Sequence, residues 1–385
     1  MCTRFNAILQ NAQLPYATLA VALPISNNSG LGTWLRLHGG RLENLLLTTT
    51  GKGAEAPVAT LAKLGSALTT VRWGNFDKHA LVALDIFSIT SLSLWSPDQA
   101  VMDLGPLRRL PDLQKLYLSS GSYTVDGLPK HLTSLNLRLC DLTSAGSTQG
   151  KHLKKLSIVY STFSGYKFDE DELLEELKIS ESCVKVDDAG DDFANANPSQ
   201  GVNLTEHKLF CGADLSHLKK LRVLKLMVAN WYTRYGGTSL MFDSLYFCYQ
   251  LPLLEELRLE STSLHLIIGN ELVNLRNLTS LTVSAARDDM AEGSLELRPE
   301  WSSMASLQHV HLCNALLCCG NEFLELLELK SLVSLTLTAC TPAGKHASQV
   351  IAAVLYGMGK HHPHVEVSVN DVCLADVVEQ RLAVT

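Results

Sequence analysis

LQKLYLSSGSYTVDGLPKHLTSLNLRLC, residues 113–140, holds one hexapeptide twice: LQKLYL (113–118) and LTSLNL (132–137). Each has leucine at its first, fourth and sixth places. In an extended chain successive side chains alternate sides, so the fourth and sixth residues share one face and the third and fifth share the other. Upstream the hexapeptide recurs as LENLLL (42–47), LTTVRW (68–73, a loose copy) and ITSLSL (89–94). Downstream it recurs as LKKLSI (153–158), LEELKI (174–179), LRVLKL (221–226), LEELRL (254–259), LTSLTV (278–283), LQHVHL (307–312) and LVSLTL (332–337). YATLAV (16–21) and HPHVEV (362–367) read as degenerate end copies. Anchored on its fourth residue, the series falls at 19, 45, 71, 92, 116, 135, 156, 177, 224, 257, 281, 310, 335 and 365. The mean spacing is about 27 residues, room for one short strand and a return segment.

One unit cannot bury its own leucines, but a stack of them makes a continuous core. The repeat resembles the leucine-rich-repeat family over nearly the whole chain. The resemblance implies an α/β solenoid: a curved horseshoe with a parallel β-sheet on its concave side and an irregular or helical convex side. Family repeats often carry Asn or Cys three residues after the sixth position. Cys140 and Cys340 stand there, while other copies have Thr50, Gly121, Ser161, Ser182, Thr262 or Ala286.

Two intervals depart from the period. Between Leu177 and Leu224 lies VKVDDAGDDFANANPSQGVN (184–203), read as a solvated acidic loop inserted into one repeat. Asp187, Asp188, Asp191 and Asp192 miss the spacing of a calcium loop. Between Leu224 and Leu257, residues 230–250 are dense in aromatics, from Trp231 to Tyr249, and read as a larger repeat helix or an exposed binding loop.

Positions three and five of each copy, with the residue after position six, form the expected concave face. It carries seven basic residues, Arg72, Lys115, Arg138, Lys155, Lys178, Lys225 and Arg258, against Glu176, Glu256 and Glu260. The whole chain has a net charge of −7. A basic face on an acidic chain favours a protein partner with an acidic surface, against the alternative of an ordinary solvated sheet face. Trp95 and Tyr117 lie on nearby strands of the same face and are favoured interface anchors. His309, His311 and Cys313 alternate on one strand. That spacing suits zinc if a further ligand converges, but is read here as polar recognition, with no metal expected.

A hydrophobic content of 46% against 18% charged residues excludes global disorder. The acidic balance argues against a nucleic-acid partner. There is no long uncharged apolar run for a membrane helix. Ten cysteines without framework spacing read as reduced thiols, placing the chain in the cytoplasm or nucleus. GKGAEAP (51–57) lacks the phosphate-loop pattern, and GSTQG (146–150) has Thr where a nucleophile elbow needs Ser. The expectation is no enzyme and no cofactor.

MCTRFNAILQ (1–10) places Cys2, Phe5, Ile8 and Leu9 on one helical face. Cys2, Arg4, Phe5 and Leu9, followed by Trp34, Leu35, His38 and Gly39, resemble F-box–leucine-rich-repeat proteins of the plant and green-algal type. On that resemblance, residues 1–14 are the end of an F-box kept as a capping helix, with the solenoid over residues 15–385. The helices that grip the cullin-ligase adaptor are not among these residues, so adaptor binding is expected only of a longer form. The function expected is a protein-interaction module, by resemblance the substrate-receptor half of a ubiquitin ligase. The alternative is a scaffolding subunit of a stable assembly with no ubiquitin role.

Overall fold

The computed structural model describes residues 17–23, 42–49, 69–74, 89–96, 101–125, 127–148, 152–166, 173–180, 183–185, 218–228, 249–261, 265–268, 270–285, 294–297, 300–314 and 316–370. The expected N-terminal helix, Trp34 to Gly39, the acidic insertion from residue 186 and the aromatic stretch through residue 248 lie outside the described residues. The chain divides into two compact units, residues 1–171 with 185–195, and residues 172–184 with 196–385.

The first unit contains β1 (Ala17–Leu23), β2 (Leu42–Thr49), β3 (Thr70–Gly74), β4 (Ser91–Trp95), β5 (Val101–Asp103), β6 (Lys115–Val125), β7 (Ser134–Thr148), β8 (Lys155–Val159) and β9 (Thr162–Tyr166). Its main ladder is parallel and runs β1–β2–β3–β4–β6–β7–β8. The register sets Leu19 opposite Leu45, Leu45 opposite Val71, Val71 opposite Leu92 and Leu92 opposite Leu116. Leu116 then faces Leu135, and Leu135 faces Leu156. Each is the fourth residue of its hexapeptide, so the sequence frame and the hydrogen-bonded frame coincide. From Val71 to Leu156 these anchors are at most 2% exposed. Fully burying a leucine is worth about 1.5–3 kcal/mol, so a one-residue slip, which would turn a whole strand's apolar face to water, is strongly disfavoured. The loose copy LTTVRW obeys the same frame. Trp73 takes the sixth position fully buried, and its Nε1–H has no hydrogen-bond partner among the described residues.

After position six the chain turns through one residue with positive φ: Ser120 (51°), Leu139 (54°) and Tyr160 (51°). The very next position holds the expected small or Cys residue: Gly121, Cys140 or Ser161. The backbone N–H of Cys140 donates to Ser161 Oγ (3.2 Å), and Ser161 Oγ donates to the carbonyl of Val159 (2.7 Å). Side chains of neighbouring repeats thus satisfy buried backbone groups at the turn. Beyond it the chain extends again. Residues 101–103, 122–124, 141–143 and 162–164 form a second parallel ladder. The sequence reading placed a helix or irregular segment there. A strand forms instead because Ser-Tyr-Thr-Val (122–125) alternates, burying Tyr123 and Val125.

The second unit contains β10 (Glu176–Ser180), β11 (Cys183–Lys185, whose last residue falls in the first unit), β12 (Val223–Val228), β13 (Glu256–Ser261), β14 (His265–Ile268), β15 (Ser280–Ala285), β16 (Ser294–Leu297), β17 (His309–Cys313), β18 (Leu316–Cys319), β19 (Ser334–Thr338), β20 (Thr341–Pro342), helix α1 (Gly344–His361) and β21 (Glu366–Val369). Its main parallel ladder runs β10–β12–β13–β15–β17–β19–β21. Leu177 pairs directly with Leu224, and Leu224 with Leu257, so each long interval belongs to a single repeat. Leu281, Val310 and Leu335 continue the series. The last anchor differs from the expectation: Leu335 faces Val367, not Val365. Alternation puts Val365, Val367 and Val369 on one face, so it fixes the face without fixing the register. The turn after α1, where Val365 N–H donates to the His362 carbonyl (2.9 Å), sets where the strand enters.

A second parallel ladder, β14–β16–β18–β20, follows the turns of this unit. Its return segments include 3-10 turns at Asn270–Asn274, Trp301–Ser303 and Asn321–Glu328. They place an apolar residue at every third position. Trp301, Met304, Leu307 and Val310 are all buried, as are Phe323, Leu326, Leu329 and Leu332. Met304 N–H donates to the Trp301 carbonyl, and Leu307 N–H to that of Met304. Three residues per turn is the 3-10 period, so the spacing puts each of these side chains on the core side. The rings of Trp301 and Phe323 meet edge to face at 6.2 Å. Helix α1 packs on Asn321–Glu328, burying Val350, Ile351, Val354 and Met358. A β-carbon on Gly357 would come within 2.8 Å of the Leu327 methyls, so a larger residue would require that side chain to shift.

Candidate functional site

The open face of each main ladder is built from positions three, five and seven of its repeats, the positions that period-two alternation turns away from the leucines. All eleven residues expected on it from sequence stand on such strands, and none is buried. The two units differ in what they present there.

In the first unit, Arg72, Lys115, Arg138 and Lys155 are exposed, and Trp95 and Tyr117 are half-buried. Tyr117 sits between Ser93 and Asn136, and Trp95 between Gly74 and Ser119. The remaining positions of β3, β4, β6, β7 and β8 carry Thr70, Ser91, Ser134, Ser157 and Val159. Among the described residues of this face none is acidic. Gly74 holds an outward position yet is buried, because the indole of Trp95 lies over it. A β-carbon at Gly74 would overlap Trp95 Cε2, Cζ2 and Nε1. The ring thereby takes up the space over Gly74, and Trp95 is half-buried there.

In the second unit, Lys178, Lys225 and Arg258 are half-buried. Lys225 Nζ lies 2.8 Å from Glu256 Oε1, and Arg258 pairs with Glu260 on its own strand. All three glutamates of the sequence count, Glu176 included, fall on this unit. The basic excess read from the whole chain therefore belongs to the first unit alone. Parallel pairing at matched register brings Lys225 beside Glu256, a relation visible only once the strands are aligned.

His309, His311 and Cys313 share the face as expected, and each has a partner close by. His309 Nδ1 lies 2.9 Å from Ser334 Oγ, and His311 Nε2 lies 3.3 Å from Thr338 Oγ1 and 2.7 Å from Cys313 Sγ. Burial, aided by the nearby Arg258 guanidinium, holds the His311 imidazole below its usual pKa. Burial likewise pushes the Cys313 thiol up. Both shifts favour the neutral pair. Among the described residues, no group of three or more His, Cys, Asp or Glu is placed to hold a metal ion. Cys340 is buried, its Sγ donating to the Leu312 carbonyl (3.2 Å), where it closes the turn between repeats.

Each unit is a leucine-rich-repeat solenoid. No protein-family model matches the chain, and no curated protein sequence matches it. Solved structures similar to it include a leucine-rich-repeat protein of Leptospira interrogans, 17% identical over 91% of this chain and 100% of that one, TM-score 0.29. An internalin (inlF) of Listeria monocytogenes is 15% identical over 95% of this chain and 93% of that one, TM-score 0.44. The plant peptide hormone receptor RGFR1, solved in complex with RGF2, is 15% identical over 88% of this chain, TM-score 0.42. This chain spans 53% of that receptor chain's length.

Proposed function

We propose that this protein is an interaction module whose first unit docks a protein partner through an acidic surface on the partner. The observation that supports this is the separation of charge. Arg72, Lys115, Arg138 and Lys155 stand exposed on the open face of one unit, with no carboxylate among the described residues of that face, while in the second unit Lys225 and Arg258 pair with glutamates. A face whose charges are of one sign steers association and selects partners of the other sign. Trp95 and Tyr117 supply apolar area among those charges.

In the ubiquitin-ligase setting that the resemblance at Cys2, Arg4, Phe5 and Leu9 implies, the docked protein would be the substrate. Co-purification of a longer form with the cullin-ligase adaptor tests that setting, and failure to co-purify would remove it. The docking reading has its own test: affinity purification with mass spectrometry from the native cell, comparing the wild type with an Arg138→Glu/Lys155→Glu variant and a Lys178→Glu/Lys225→Glu variant. Partner yield is expected to collapse in the first variant and to persist in the second. Equal yields from the wild type and the first variant would overturn the reading.

A further inference from the structure

We infer that the docking surface of the first unit continues onto the turns leading into β7 and β8, where the stacked imidazoles of His131 and His152 make it hold an acidic protein partner more tightly as pH falls. This rests on the reading of that unit's open face as a docking surface. His131 and His152 stand directly before the first leucine of LTSLNL and LKKLSI. Both are exposed, and their rings stack with centroids 6.4 Å apart and planes 16° from parallel. Ser134, three residues on from His131, lies in register between Lys115 and Lys155. The imidazole pair therefore borders the end of the open face where those two lysines stand.

The same turn position carries Asp112, Lys220, Leu253, Asn277 and Ser331 in other repeats. Histidine stands there in two successive repeats, and those repeats lead into the basic part of the face. The charged groups around the pair come from every neighbouring element of the unit. Asp112 lies on the preceding turn, and Arg108 and Arg109 on the 3-10 turn of that return segment. Lys130 adjoins His131, Lys115 opens β6, and Lys154 and Lys155 lead into β8. Lys154 and Lys155 each have an interaction within the chain, so the inference is carried by the imidazoles. Leu173 holds the turn position of the following repeat, ahead of Glu175 and Glu176 in the second unit.

Lysine and arginine keep their charge from pH 8 to pH 6, and aspartate and glutamate keep theirs. Imidazole is the side chain that gains a proton across that range. A carboxylate laid beside an imidazole favours its charged form and accepts a charge-assisted hydrogen bond from it. Partner binding and proton uptake at the two rings therefore strengthen one another. The sign follows: lower pH adds positive charge at the border of a face that already selects carboxylates.

The probe is a short rhodamine-labelled oligo-aspartate peptide, titrated by fluorescence anisotropy at about pH 8 and about pH 6. The wild type is expected to bind it roughly tenfold tighter at the lower pH. His131→Gln with His152→Gln, at two exposed turn positions, is expected to erase that gain while leaving the affinity at the higher pH unchanged. His131→Lys with His152→Lys carries fixed charge and is expected to bind tightly at both values, again without the gain. His309→Gln with His311→Gln, on the second unit, is expected to keep the gain in full. A wild type without the gain, or a gain that survives in the His131→Gln/His152→Gln variant, would overturn this inference and leave the docking reading standing. Binding at the higher pH that Arg138→Glu with Lys155→Glu does not weaken, or no binding at either pH, would overturn the docking reading itself. An oligothymidylate of equal charge is titrated in parallel. Tighter binding of it than of the peptide, with a gain that the His131→Gln/His152→Gln variant removes, would assign the turns to nucleic acid and overturn the inference.

Discussion

The indole of Trp95 occupies the space a β-carbon would need on Gly74, its register partner on the neighbouring strand. Glycine there is what lets the ring occupy that space. Gly74→Ala is expected to lift the ring off the sheet and to cost about 1–3 kcal/mol, the usual range for overpacking. Urea denaturation reads the stability change. A red shift in tryptophan emission that disappears in a Trp95→Phe background assigns the movement to this ring.

Leu139 holds a left-handed turn position inside β7. Leu139→Gly removes a left-handed residue that costs about 1–2 kcal/mol and adds a glycine entropy cost of about 0.5–1 kcal/mol. The net expectation in urea denaturation lies between no change and a gain of about 1.5 kcal/mol. A loss of stability would show that the Leu139 side chain packs in a way its exposure conceals.

Ser161 is buried and accepts from the backbone N–H of Cys140. Burial pushes the neighbouring Cys140 thiol up to about 11, so it stays protonated and does not replace the lost acceptor by ionising. Ser161→Ala leaves a buried donor unpaired and is expected to cost about 1–3 kcal/mol. The shift of the urea midpoint between Ser161→Ala and wild type measures it, and no shift would show that the donor finds another acceptor.

His311 makes stability depend on pH in one direction. Its folded pKa lies below the ordinary 6.5, chiefly through burial and next through Arg258. The unfolded chain therefore takes up a proton before the folded one does. The contribution is whole above about pH 6.5 and is lost as pH falls through the depressed value. Denaturation at about pH 8 and about pH 6 should show a smaller difference in His311→Gln than in the wild type. An equal difference would remove His311 as its source.

The main ladder was legible from the leucines, because period-two alternation and the repeat period together fix both face and register. Thirteen of the fourteen expected anchors, from Leu19 to Leu335, sit where the hexapeptide frame put them. Val365 failed because three alternating valines offer two equivalent frames, and only the turn after α1 chooses between them. The second ladder was missed, although the alternation in Ser-Tyr-Thr-Val signals it. The every-third-residue run through Trp301, Met304 and Leu307 likewise signals the 3-10 turns. The segregation of charge was hidden for another reason. Arg258 and Glu260 are neighbours along one strand, but Lys225 meets Glu256 only through the pairing of β12 with β13. The positive-φ residues carry no sequence signature, since leucine and tyrosine are among the residues least expected there.

The most direct measurement is site-specific photocrosslinking. A benzoylphenylalanine is placed at Tyr117 on the first unit's open face or at Thr336 on the second's, and the tagged protein is irradiated in the native cell. Partner adducts are expected from position 117 and not from position 336. Adducts from position 336 with none from position 117 would contradict docking on the first unit.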